Sequence, residues 1–238
     1  MKNILLITVL IVFINFSLTA QIYVGLSDPV EQINGKFLID KDISGKNVKV
    51  GIIDAGYYKM SGYYGTKHII ANNQLKFAKD YVAENTDELN SKLEDNLRNN
   101  KEINFSDYEN YYDIENKFAD TTELFSLTED HGQMISIMIA GITRGFFYGL
   151  GRDADFYIAR TEYGNKDYPI EEVYLAKALE DFHYLGVKLV NISLGYGDTF
   201  KDKENNYLVK EVDGQTSIST KACTEYAEKG MIIVVAGG

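Results

Sequence analysis

Two residues in this chain pair chemical type with a setting suited to proton transfer. Asp54 ends the apolar run Val48–Asp54 just before Ala55-Gly56, and His131 stands with Gly132 where an apolar-rich segment begins. Carboxylate and imidazole are the side chains that exchange protons in or near the neutral range. Each also has a plain reading on its own. Asp54 could be a turn aspartate bonded to its own backbone, and His131 a capping or packing residue at a helix start. The elements around them decide between these readings.

Val48, Val50, Ile52 and Ile53 are β-branched and nearly continuous, which predicts a strand buried on both faces, as central parallel strands are. Gly56 breaks the run and places Asp54 at the carboxyl edge of a sheet, where open α/β folds bind ligands. Met134, Ile135, Met138, Ile139 and Ile142 predict a helix with an apolar face, capped near Thr128 or Asp130 and closed by Gly141. His131 falls in its first turn. Phe77–Val82 and Ala154–Arg160 read as strands. A helix opens at Pro169 with Glu171 and Glu172 and stops before Gly186; Val187–Gly197 follows as a strand ending in glycines. A helix over Ser217–Lys229 and a final strand from Met231 complete the chain. This alternation predicts an α/β fold, a mostly parallel sheet with helices on both faces joined by right-handed crossovers.

At 238 residues, 45% hydrophobic and 25% charged, the chain is long enough for one sizeable domain. A net charge of -11 argues against nucleic-acid or anionic-membrane partners, which need a Lys and Arg surplus. The single cysteine, Cys223, excludes an intrachain disulfide.

Residues 1–20 carry Lys2, an apolar run from Ile4 to Phe16 too short for a span of ~20 residues, and small residues before Gln21. They read as a signal peptide cleaved near Ala20, although Leu18 is larger than that position prefers and an uncleaved anchor is the alternative. The expected location is secreted or periplasmic, with no membrane contact after cleavage. Residues 21–238 form the expected domain. It opens with a lead-in carrying a small helix near Pro29–Leu38, in which Phe37 and Leu38 pack, and a Ser44-Gly45 turn. Residues 84–130 read as an acidic surface insert containing a helix from Thr86 with Leu89, Leu93 and Leu97 on one side. A structural calcium ion is compatible with its acids, but no EF-hand-like loop assigns one, and no cofactor is expected.

Four segments together carry a resemblance. IIDAG around Asp54, HGQMISIMIAG from His131, VNISLGYG around Ser193 and GMIIVVAGG at the end occur in the order found in subtilisin-like serine proteases, the subtilase family. The resemblance covers most of Gln32–Gly238 and implies a subtilisin-like fold acting on peptide or protein substrates, as a monomer. A hydroxyl becomes a competent nucleophile when a neighbouring imidazole takes its proton, and that imidazole needs a carboxylate on its other nitrogen. By resemblance, Asp54 orients and His131 is the base. Ser193, Leu194 and Gly195 match the edge that pairs with the substrate backbone, with Gly195 leaving room for close approach.

The departures matter as much. The family's oxyanion asparagine follows an Ala-Gly pair, and here the sequence reads Ala236-Gly237-Gly238, so Gly238 either stands in its place or directly precedes it. The family's Gly-Thr-Ser nucleophile has no counterpart, since Ser217 and Ser219 precede a helix in no such context. The fold is accordingly read as truncated, and residues 1–238 alone are expected not to hydrolyse peptides. The absent part is expected to leave apolar surface exposed on the His131 helix and the Val187 strand, making the isolated chain insoluble or molten. No inhibitory pro-segment separates Ala20 from the domain, and Gly149–Arg152 lacks a proline common in relatives.

Two other functions compete. One is a catalytically dead relative that binds peptides along the Ser193 edge. The other is a nucleotide site at GLGRDA, Gly149–Ala154, which precedes a strand instead of opening a helix. His68 and His183 lack zinc-ligand spacing, and Cys223 reads as a packed helical residue. Asn104-Phe105-Ser106 fits the glycosylation pattern.

Overall fold

The computed structural model describes residues 29–82, 85–108, 129–163 and 166–237. The expected signal peptide and residues 84 and 109–128 of the expected insert, Thr128 among them, lie outside them. Two compact units divide the chain, one ending at Ile43 and one spanning Ser44–Gly238. In the first, helices α1 (Pro29–Gln32) and α2 (Lys36–Asp40) replace the single helix expected there. Asn34, with φ of 55°, separates them. Phe37 is exposed, contrary to the packing role assigned to it, while Leu38 is half-buried.

The second unit is built on a five-stranded sheet. Its strands are β1 (Lys49–Asp54), β2 (Leu75–Asp80), β5 (Asp155–Arg160), β6 (Leu189–Ile192) and β7 (Ile232–Val235), in the order β2-β5-β1-β6-β7. Every pairing in it is parallel. The other two strands among the described residues, β3 (Ile142–Thr143) and β4 (Phe147–Tyr148), form a small antiparallel hairpin that no sequence signal announces. The Ser44-Gly45 turn feeds β1 as expected, with Gly45 at φ of 84° and the Val48 N–H donating to its carbonyl. The second strand begins two residues earlier than expected, and the Val187–Gly197 strand is confined to Leu189–Ile192.

Helices α3 (Lys67–Ala71), α4 (Thr86–Arg98), α5 (His131–Ala140), α6 (Pro169–Tyr184) and α7 (Ile218–Glu228) cover the sheet. Strand alternation sends Ile53, Phe77, Tyr157, Ala159 and Ile192 to one face, packed with α6, α4 and α7. Val50, Ile52, Phe156 and Ile158 go to the other, packed with Ile69 of α3 and Ala140 of α5. The result is the expected three-layer arrangement. Gly51 lets α6 press close, because a Cβ there would stand 2.6 Å from Phe182 Cδ2.

One expectation reverses. In α5 the buried side is Gly132, Gln133, Ser136 and Ala140, whereas Met134 and Met138 are exposed and Ile135 and Ile139 only partly covered. Small residues four apart bring the helix close to β1, which an apolar-face reading overlooks. The exposure expected on the Val187 strand is also absent, since Val187 and Val190 are fully buried. Exposed apolar side chains stand instead on β7, at Ile232, Val234 and Val235.

Candidate functional site

β1 is the central strand, paired with β5 on one side and β6 on the other as far as Ile53, so Asp54 ends a strand held on both sides and itself pairs with Arg160 of β5. The chain leaves β1 toward β2 and β5 and later returns to build β6 and β7, which makes this edge the topological switch point. Asp54 has no solvent exposure, and its Oδ1 lies 2.7 Å from His131 Nδ1. The Ala55 N–H donates to the same oxygen at 2.7 Å. Oδ2 is buried without a hydrogen-bond partner among the described residues. Burial raises the carboxyl pKa of Asp54, and the bonds from His131 and Ala55 pull it back in part.

Two reciprocal backbone bonds stitch the exit of β1 to the entry of α5. Tyr58 N–H donates to the Glu129 carbonyl at 3.0 Å, and Gln133 N–H to the Gly56 carbonyl at 3.1 Å. Gly132 is what permits the approach. A Cβ there would stand 2.7 Å from the Gly56 oxygen, 2.8 Å from Asp54 Cβ and 2.8 Å from Tyr57 Cε1. The side chain of His131 is 45% exposed, so its ring reaches from a buried carboxylate to solvent. With Nδ1 committed to Asp54, Nε2 is the nitrogen left to exchange a proton.

The neighbouring strand ends are tied in as well. Arg160, paired with Asp54 in the ladder, donates to both oxygens of Asp80 and, through Nε, to the Ala55 carbonyl at 3.1 Å. On the other side Ile53 pairs with Ile192, so Ser193, Leu194 and Gly195 run past the same edge. Ser193 and Leu194 are half-buried, Gly195 is exposed, and a Cβ on Gly195 would meet nothing within 4 Å. Asn191 Nδ2 donates to Ser193 Oγ at 2.9 Å.

Acids that sequence reading missed gather beside this edge. Glu162, Asp167 and Glu171 bring one carboxylate oxygen each to within 4.8 Å of one another. Burial first, then neighbouring negative charge, pushes Glu171 up to about 9 and Glu162 up to about 7, against the hydrogen bonds each accepts. Glu171 accepts the Tyr163 and Tyr168 N–H groups, and Glu162 accepts the Tyr196 hydroxyl at 2.5 Å. Glu171 and Glu172 were legible only as acids at a helix start; nothing in the sequence announced Glu162.

The other candidates resolve into structure. Gly149 and Gly151 pack against the Ile139 carbonyl, and their segment leads into β5, so GLGRDA opens no helix. The His183 ring lies tilted against Tyr226, with centroids 5.5 Å apart, and burial pushes the Cys223 thiol up to about 11.

A parallel α/β sheet carrying an aspartate–histidine pair at its switch point is an arrangement of acid–base catalysts. The sequence model of the subtilase family matches residues 45–238, and the chain belongs to that family. No curated protein matches it. Among solved structures it is similar to the epidermin leader peptide processing serine protease of Staphylococcus aureus, with 20% identity over 86% of this chain and 40% of that one, at a TM-score of 0.46. It is also similar to the prenylagaramide maturation protease PagA, with 12% identity over 85% and 50% and a TM-score of 0.45. The Clostridium perfringens CspB protease gives 14% identity over 85% and 39%, with a TM-score of 0.45. The chain thus spans half or less of the length of these proteins.

Proposed function

We propose that this chain supplies the aspartate and histidine of a serine endopeptidase that cleaves peptide or protein substrates. The observation that carries the reading is the 2.7 Å bond between His131 Nδ1 and a fully buried Asp54 carboxylate. Asp54 fixes the tautomer in which Nδ1 holds the proton, leaving Nε2 to remove one from a serine hydroxyl. The serine oxygen then bonds to the scissile carbonyl carbon, the carbonyl electron pair moves to its oxygen, and Asp54 stabilises the imidazolium. When the intermediate collapses, the C–N bond breaks and Nε2 returns the proton to the departing amine. An extended substrate backbone lies along Ser193–Gly195.

Residues 1–238 hold no serine in the family's nucleophile setting, so by themselves they are inactive, and a serine from outside them completes the triad. Export through residues 1–20 puts the enzyme in the extracellular or periplasmic space, where it works as a monomer without nucleic-acid or membrane partners. The test is hydrolysis of an internally quenched peptide by the product of the complete gene, beside its His131→Ala variant. Loss of at least ~10³-fold in kcat with an unchanged circular dichroism spectrum is expected. Retained hydrolysis would remove His131 from the reaction.

A further inference from the structure

The segments that leave the sheet on either side of Asp54 are joined close to it by a side-chain contact. Thr161 follows β5 and donates its N–H to the Asp54 carbonyl at 3.1 Å. The next residue, Glu162, accepts the hydroxyl of Tyr196 at 2.5 Å, and Tyr196 directly follows Gly195. A short covalent and hydrogen-bonded path therefore runs from Asp54 through Thr161, Glu162 and Tyr196 to Gly195. Glu162 also takes the Thr161 hydroxyl at 3.0 Å, which holds its carboxylate in place. The Tyr196 ring is fixed by stacking on Phe200, with centroids 6.2 Å apart and planes 9° from parallel. The β6 ladder stops at Ile192, so no strand pairing among the described residues reaches Ser193–Gly195, whose own ties are the Asn191 bond to Ser193 Oγ and the packing of Leu194 on the core.

We propose that Glu162 is a positioning residue. Through the Tyr196 hydroxyl it holds the Ser193–Gly195 backbone in register with Asp54 and His131, so that an extended peptide pairing along that edge presents its carbonyl to the reacting groups. The inference rests on the subtilase reading of the site and adds a residue to it. A carboxyl oxygen accepts a hydroxyl proton whether the acid is ionised or neutral, so the tie persists across the range in which Glu162 titrates. The groups facing Glu162 are Asp54 at the end of β1, Asp167 on the following loop, Glu171 on α6 and Tyr196 itself. Asp167 is itself held by the Thr199 hydroxyl, which gives the two segments a second tie further from Asp54.

The test uses the complete gene product and two substrates, an extended fluorogenic decapeptide and an N-acetyl amino-acid nitrophenyl ester with no chain to pair along the edge. Glu162→Ala and Tyr196→Phe are each expected to raise KM for the decapeptide about tenfold, the scale of one buried hydrogen bond to a carboxylate. Ester kinetics should stay within about twofold. Glu162→Gln, which keeps an acceptor oxygen, should recover most of the loss, and the double variant should be no worse than either single one. Equal losses on both substrates would reduce Glu162 to a structural brace and overturn the proposal. A fluorescein-labelled decapeptide binding to the His131→Ala variant reads the tie without chemistry, and Glu162→Ala should weaken it about tenfold. An inactive wild type whose peptide binding still depends on Glu162 would refute the peptidase and keep the tie. Hydrolysis with binding indifferent to Glu162 would do the reverse.

Discussion

Replacing Gly132 by alanine adds one methyl group at the point where the two halves of the site touch. That methyl would sit 2.7 to 2.8 Å from a backbone oxygen, the Asp54 Cβ and the Tyr57 ring, all held by the β1 exit. Ordinary contact begins near 3.4 Å, so the helix start must retreat by roughly 0.6 Å or more. Overpacking of this kind costs about 1–3 kcal/mol. The same retreat stretches the 2.7 Å bond between His131 and Asp54 toward the limit of hydrogen bonding. Displacement on that scale can cost up to ~10²-fold in rate. Urea unfolding followed by circular dichroism reads the first effect, and peptide hydrolysis by the complete gene product reads the second. Gly197→Ala is the control, since a Cβ there meets nothing within 4 Å, and it should change stability by less than ~0.5 kcal/mol. If Gly132→Ala unfolds at the wild-type urea concentration and keeps full activity, the close-approach argument is wrong.

Other expectations follow from the buried acids and the exposed edge. Glu171 and Glu162 hold protons when folded up to about 9 and about 7, while an unfolded glutamate releases its proton near ~4.3. Between those values the folded state binds more protons, so stability is greatest below the unfolded pKa and falls as pH rises toward 9. Urea midpoints from pH 5 to 9 should decline, and Glu171→Gln should flatten the slope even where it lowers the pH 5 value. A wild-type midpoint rising with pH would contradict this. Glu172, 1% exposed, accepts the Tyr207 hydroxyl and both the N–H and hydroxyl of Ser219 at the start of α7. Glu172→Ala strands three donors and should cost at least ~2 kcal/mol in the same assay. Residues 1–238 expressed alone should self-associate through β7, and Val234→Lys should shift sedimentation toward the monomer. An already monomeric wild type would remove that role from β7.

What the sequence disclosed and what it hid divide along the range of the interactions. Asp54 was placed correctly because a β-branched run ending at a glycine is a local signal, and His131 because a helix start is. α6 was legible from Pro169 to Gly186, whose φ of 74° suits a residue just past a helix. The buried side of α5 was misread because two methionines outweigh a glycine, a serine and an alanine on any hydrophobicity scale. Only the distance to β1 shows that small size was the requirement. Glu162 was invisible because its meaning depends on Tyr196, a residue on another strand's extension. Phe37 was assigned a packing role by type, and it lies exposed.

The bond between Asp54 and His131 joins residues 77 positions apart, and the Tyr57 hydroxyl that braces the same edge reaches across 102 to the Ala159 carbonyl. No local nucleus can contain both partners of either contact. The chain must close these long loops, with the attendant entropy loss, before β1 gains its neighbours, which places assembly among the slow folding topologies. Newly made chains therefore pass through a lengthy interval in which helices can form while the carboxylate and imidazole are still far apart. Pairing of the carboxylate with the imidazole is therefore a late event in assembly, one that follows the insertion of β1 between β5 and β6.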